Sequence, residues 1–327
     1  MITRRQFIGS SAVTLASACI TPEVLAQVAA KTARIIVGFP PGGGLDSVAR
    51  LLANEIKNYA ATIVVENRPG AGARIALEVL KTSPADGSVM ALMPASCIVL
   101  YPHIFKTLNY NPQRDFLPIT VVCETPYLIT VGPMVPTRVR TLTDFIEWCR
   151  ANPGQATYGS PGAGSPMHFT GVMLAQTAGF EFLHVPYQGG TAGMQDLLGG
   201  RIAAYIGTVA VGLPHFQSGG ARAIVTTGPQ RSSGLPSVPT IKEAGFPALE
   251  VTEWFGVFVP AKTPAETVNT LKHAIREALK SNKIRTSLAK LYLESAEVSS
   301  GDFAQLIRSD TEQWGSIVKA SGFRAED

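Results

Sequence analysis

Arg34-Ile35-Ile36-Val37-Gly38-Phe39-Pro40-Pro41-Gly42-Gly43-Gly44-Leu45-Asp46 joins a short apolar run to an amphipathic segment through a turn nearly free of side chains. The run up to Phe39 is rich in β-branched residues, as a buried parallel strand requires. Past the turn, Val48, Leu51, Leu52 and Ile56 recur at helical spacing, with Arg50, Asn54, Glu55 and Lys57 on the opposite side. Three glycines between a strand and a helix let a ligand approach the main chain and leave amide groups at the positive end of the helix dipole, where a carboxylate or phosphate is stabilised. A tight corner alone would use the same residues. Asp46, at the helix start, fits an N-cap as well as a functional carboxylate.

Tyr158-Gly159-Ser160-Pro161-Gly162-Ala163-Gly164-Ser165-Pro166-Met167-His168 repeats that logic further along the chain. Ser165 before Pro166 signals a helix start, with Ser as N-cap and Pro at the first helical position. Two Gly-rich helix starts facing each other would hold a dianion, or an anion at one end and a polar group at the other, without an arginine. The alternative is an exported hydrolase using Ser165 and His168. Against it, no Gly-x-Ser-x-Gly pattern is present and no orienting acid is signalled. His184 and His215 read as structural, and His103 and His273 belong to no constellation.

Strand-like and helix-like segments alternate from Thr62 onward: Ile63–Glu66, then Ile75–Leu80, then Ser88–Met93. This alternation argues for an α/β fold of two doubly wound lobes joined by a hinge. Asn67-Arg68-Pro69-Gly70-Ala71-Gly72 is read as a chain-reversing turn. Tyr127–Val131, followed by Pro133, Pro136 and a fresh helix at Leu142, marks the crossing into a second domain, and Trp254–Pro260 marks the return. Lobe 1 is thus expected over residues 27–128 and 250–327, and lobe 2 over 129–249. The C-terminal helices pack back on the first lobe. Ligands of such folds bind beyond the carboxyl ends of the strands, here in the cleft between lobes.

Residues 1–26 read as an export signal peptide: Arg4-Arg5-Gln6-Phe7-Ile8 precedes a moderately apolar segment, and Val24-Leu25-Ala26 ends in a small residue. The paired arginines resemble a twin-arginine signal, with a general secretory signal as the alternative and lipoprotein processing at Cys19 as a third option. Removing 26 of the 327 residues leaves 301, enough for two cores. The formal net charge falls from +4 to +3, because Arg4, Arg5 and Glu23 leave together. The cations are scattered, which excludes a nucleic-acid binder. No apolar run of membrane-spanning length follows the signal. Cys97, Cys123 and Cys149 sit among apolar residues and are expected as buried free thiols. No Cys–His spacing supports a zinc site.

Phe39-Pro40-Pro41-Gly42-Gly43, Val65-Glu66-Asn67-Arg68-Pro69-Gly70-Ala71-Gly72, Pro84-Ala85-Asp86-Gly87, Tyr158 with its Gly-Ser loop and His168, His184-Val185-Pro186-Tyr187, Asp196-Leu197-Leu198-Gly199-Gly200, Leu213-Pro214-His215, Val238-Pro239-Thr240 and Trp254-Phe255-Gly256 occur in order along the mature chain. Together they resemble the Bug-type extracytoplasmic solute-binding receptors of tripartite tricarboxylate transporters. The resemblance implies a periplasmic-binding-protein-like fold (type II) that closes on a small carboxylate and delivers it to membrane permease subunits, as a monomer, without catalysis or a cofactor. It also implies that main-chain amides of the first loop and of the second-lobe helix start hold the carboxylate, often with ordered waters. Carried over, the ligand-binding residues are Pro41, Gly42, Gly43 and Asp46, with Ser160, Gly162, Gly164, Ser165 and His168. Gln188 and Thr208 are added because they follow strands that should end at the cleft. Many relatives carry acidic residues where this chain has Ala203 and Gly207. That departure points away from an amino acid and toward a plain mono-, di- or aromatic carboxylate.

Overall fold

The computed structural model describes residues 32–296 and 300–325, so the expected export segment lies outside the described residues. The apolar run before the first glycine turn is strand β1 (Thr32–Val37), which leads into helix α1 (Gly44–Glu55). There follow β2 (Thr62–Asn67), α2 (Arg74–Thr82), β3 (Val89–Pro94), the short helices α3 (Tyr101–Ile104) and α4 (Pro112–Asp115), and the long strand β4 (Phe116–Val131). The middle of the chain forms α5 (Leu142–Ala151), β5 (Thr157–Ser160), α6 (Pro166–Ala178), β6 (Leu183–Pro186), α7 (Gly190–Leu198), β7 (Ala204–Thr208), α8 (Val209–Gln217) and β8 (Arg222–Thr226). The remainder is β9 (Thr252–Pro260), α9 (Ala265–Leu279), α10 (Asn282–Lys290), β10 (Glu294–Ser295) and α11 (Ser300–Ser321).

The strands run in the order β2-β1-β3-β9-β4-β7-β5-β6, with β8 and β10 also paired to β4. Parallel pairing holds within β2-β1-β3 and within β7-β5-β6, whereas β9 and β4 join the two groups by antiparallel pairing. Along β1, Ile35 and Val37 enter a core formed with α1, α9 and α10, while Ile36 points into the core formed with α2 and α11. Helix α1 contributes Leu45, Val48, Ala49 and Leu52, all buried. Each of its larger aliphatic side chains stabilises the packing by about 1.5–3 kcal/mol relative to exposure. Helix α5 starts on a capping box, in which the Thr141 hydroxyl accepts from the Asp144 amide and the Asp144 carboxylate accepts from the Thr141 amide.

Two features go beyond the sequence reading. Strand β4 starts at Phe116, well before the expected segment at Tyr127, and is 16 residues long. Helix α11 packs on β4 and α3 and also reaches α6, where Trp314 meets Phe169 edge to face and Phe323, just past the helix, packs on Phe169 and His168. Cys97, Cys123 and Cys149 are buried and free, as expected. The Asn67–Gly72 turn is structural, because the Asn67 amide donates to the Phe39 carbonyl and to the Asp46 carboxylate.

Candidate functional site

The two Gly-rich loops face one cavity of ≈ 850 Å³. Its wall includes Phe39 to Pro41 and Gly43 to Leu45 from the first loop, Pro161 and Ala163 to Met167 from the second, and Thr208 at the end of β7. The floor is the sheet, through Pro94 at the end of β3, Ser96 just beyond it, Thr125 of β4, and Glu253 and Phe255 of β9. Tyr101 and Phe105 complete a mostly apolar lining. No Arg, Lys or His lines this cavity among the described residues. An adjoining chamber of ≈ 420 Å³ shares Gly44, Thr125, Thr208 and Phe255 with it and adds Lys290, an exposed cation.

The loops solve their capping problems differently. Gly43 caps α1 with no side chain, and no hydrogen bond within the described protein occupies the amides of Gly43, Gly44 or Leu45. Below them Asp46, 2 % exposed, ties the loop together. Its carboxylate accepts from the Arg50 guanidinium at 2.9 Å, the Gly42 amide at 2.9 Å and the Asn67 amide at 2.9 Å. The bond from Arg50 is the largest of the influences that hold its pKa down to about 2. Asp46 therefore stays ionised, and every hydrogen bond it makes is spent on the loop.

In the second loop nearly every donor is used internally. The Ser165 hydroxyl accepts from the His168 amide at 3.2 Å, capping α6, and donates to the Gly162 carbonyl at 2.7 Å. The Gly164 amide donates to His168 Nδ1 at 3.2 Å, and the Ser160 hydroxyl lies 2.8 Å from His184 Nε2. The two imidazoles stack with centroids 4.0 Å apart. Burial lowers the pKa of each to about 4, with the neighbouring ring adding to the effect at His184, so both are neutral at neutral pH. The amides of Ala163 and Met167 are the ones left without a partner toward the cavity.

Of the residues singled out in the sequence, Pro41, Gly43, Gly164, Ser165 and Thr208 line the cavity. Gly42, Asp46, Ser160, Gly162 and His168 stand behind the wall as its support, and Gln188 lies on an exposed bend after β6. Ser165 and His168 do not form a hydrolytic pair, since the hydroxyl meets the His168 main chain and not its ring. His184, taken as structural, is indeed the partner of Ser160.

The cleft is not free of acid, contrary to the expectation drawn from Ala203 and Gly207. Ala203 and Gly207 are buried and off the cavity, yet an acid is present: Glu253, 8 % exposed, from a different strand. Its Oε1 accepts from the Ser96 amide at 3.1 Å and its Oε2 from the Tyr127 hydroxyl at 2.5 Å. Burial pushes its pKa up, with the bonds from Tyr127 and Ser96 opposing. Strand alternation could have found it, because Trp254, whose indole donates to Asp310 at 2.8 Å, must face away from its neighbours Glu253 and Phe255.

Residues 48–323 match the family model described as the tripartite tricarboxylate transporter family receptor, TctC. The chain is 29% identical to protein BugT of Bordetella pertussis over 295 residues, covering 90% of each chain. An R. palustris protein solved with adipate superimposes with a TM-score of 0.77 at 28% identity, over 91% of this chain and 99% of that one. MatC from Rhodopseudomonas palustris, solved with bound malate, gives a TM-score of 0.72 at 26% identity, over 88% and 98%.

Proposed function

The chain belongs to the tripartite tricarboxylate transporter receptor family, a family of solute-binding receptors and not of enzymes, and from this we propose that its cleft captures a small carboxylate in the periplasm and hands it to membrane permease subunits. The observation that carries the reading is the uncapped start of α1, whose free amides at Gly43, Gly44 and Leu45 open on a cavity without a basic side chain. An anion in that cavity is held by main-chain dipoles and neutral hydroxyls, without a cation. Relatives solved with adipate and with malate support the same ligand class. The wall residues Pro41, Gly43, Gly164, Ser165 and Thr208 are assigned to contact, and Gly42, Asp46, Ser160, Gly162 and His168 to support of the loops.

Closure is assigned to two lobes, residues 27–128 with 250–327 and residues 129–249, turning about β4 and the return into β9. Export by residues 1–26 accounts for the compartment, and the unit is a monomer. No helix of the described residues is long and apolar enough to cross a membrane, and delivery is assigned to a separate permease.

The test is thermal denaturation of the mature protein against a panel of mono-, di- and tricarboxylates. A ligand at about 100-fold above Kd that binds only the folded form stabilises it by roughly 2.7 kcal/mol. A clear rise in Tm with at least one carboxylate is expected. A flat response across the panel removes the basis of the proposal.

A further inference from the structure

Glu253 makes the floor of the cavity chemically unlike its rim. Along β9, Glu253 and Phe255 face the cavity while Trp254 faces the opposite core. Glu253 is more than nine-tenths buried, and the protein groups that bond its carboxylate are donors: the Ser96 amide, the Ser96 hydroxyl and the Tyr127 hydroxyl. Burial and the adjacent carboxylate hold the Tyr127 hydroxyl pKa well above its ordinary value, so Tyr127 keeps its proton and donates. A carboxylate has about four acceptor positions, and these bonds leave about one for a ligand. Among the described residues no cation lines the same cavity, and Lys290 belongs to the adjoining chamber.

A ligand with a carboxylate at both ends would set its second carboxylate against Glu253 in a mostly apolar chamber, at the cost of either like-charge repulsion or the uptake of a proton. A hydroxyl or ammonium at that end would instead meet an acceptor. We infer that Glu253 is the specificity-determining residue of the cleft, accepting a hydrogen bond from the ligand, whose class is a carboxylate bearing a hydroxyl or amine at its far end. This inference rests on the cleft being a carboxylate site. Between the two ends, Phe39, Tyr101, Phe105 and Phe255 present aromatic walls suited to a ring or a methylene chain.

Two matched series test it by calorimetric titration of the mature protein. One is hexanoate, adipate, 6-hydroxyhexanoate and 6-aminohexanoate. The other is benzoate, terephthalate, 4-hydroxybenzoate and 4-aminobenzoate. In at least one series a donor-bearing member is expected to bind roughly tenfold or more tightly than both the unsubstituted acid and the dicarboxylate, the scale of one hydrogen bond to a charged group. Glu253→Gln should erase that margin, keep the affinity for the unsubstituted acid and improve the dicarboxylate. A wild-type preference for adipate and terephthalate overturns the inference without any variant, and so does a donor margin that survives in Glu253→Gln. Binding by no member of either series instead removes the carboxylate reading and this inference with it.

Discussion

The two glycine loops look alike in sequence and occupy matching places in the fold, yet one is open and the other closed upon itself. The first ends on Gly43, which offers no cap, and its amides are left to the cavity. The second ends on Ser165, and a network of Ser160, Gly162, Gly164, His168 and His184 uses up most of what it could offer a ligand. A helix start is an anion site only to the degree that its own side chains leave it unsatisfied. Under the proposed function the first loop is therefore the part assigned to the ligand anion, and the second is a shaped wall.

Acid should separate the loops most widely. His168 and His184 are held near pKa 4 against an ordinary 6.5. The unfolded chain binds protons more readily over that interval, so stability is lost as pH falls from about 6.5 to about 4. The cost is on the order of 3 kcal/mol per ring, from about 1.4 kcal/mol per pKa unit. Asp46 has the opposite charge type and a lower window. Its lowered carboxyl stabilises the fold above pH 3.8, and that contribution, about 2 kcal/mol, disappears as pH falls toward 2. Urea denaturation against pH should show the upper slope flattened in a His168→Gln/His184→Gln double variant and the lower one flattened in Asp46→Asn. A single slope unchanged by either variant would erase the distinction.

A side chain in each loop sharpens the comparison next. Gly43 has an ordinary extended backbone, and an added Cβ would meet only the Pro40 carbonyl at 3.6 Å. Gly43→Val should therefore fold with near-native Tm while losing about 3 kcal/mol of carboxylate affinity, roughly a hundredfold, because the ligand can no longer reach the amides. Gly164 has φ +75 and a Cβ there would lie 3.0 Å from Phe323. Gly164→Val should lose about 1–3 kcal/mol of stability from backbone strain. Titration and melting of the two variants side by side would refute the contrast if both lost binding and stability in equal proportion.

The smallest effect is expected at Ser165. Ser165→Ala removes a cap worth about 1 kcal/mol. Because its hydroxyl proton is already given to Gly162, ligand affinity should change by less than the stability does. An affinity loss larger than the stability loss would show that the second loop donates to the ligand after all.

The α/β class and most strands were legible because β-branched runs and 3.6-residue periodicity are local signals. The full length of β4 was not, since Phe116–Val131 contains Pro118 and Pro126 and its pairing carries register shifts, which break the alternation that marks a strand. The loops were legible as glycine-rich turns, but their difference was not. Whether Ser165 serves a ligand or its own loop depends on a hydroxyl rotamer, and the pairing of Ser160 with His184 crosses 24 positions of chain. Glu253 stayed hidden for a similar reason: Tyr127 and Ser96, which hold it, lie 126 and 157 positions away.

That same separation bears on how the protein comes to be made. Strand β9 lies between β3 and β4, which precede it by more than a hundred residues. While synthesis runs through α5 to β8, the two earlier strands stand with their facing edges unpaired, and the middle of the sheet closes only once Thr252–Pro260 has emerged. Non-local pairing of this kind folds slowly and exposes strand edges meanwhile. Until that strand arrives, a chain so wired carries its aggregation risk in the middle of its sheet.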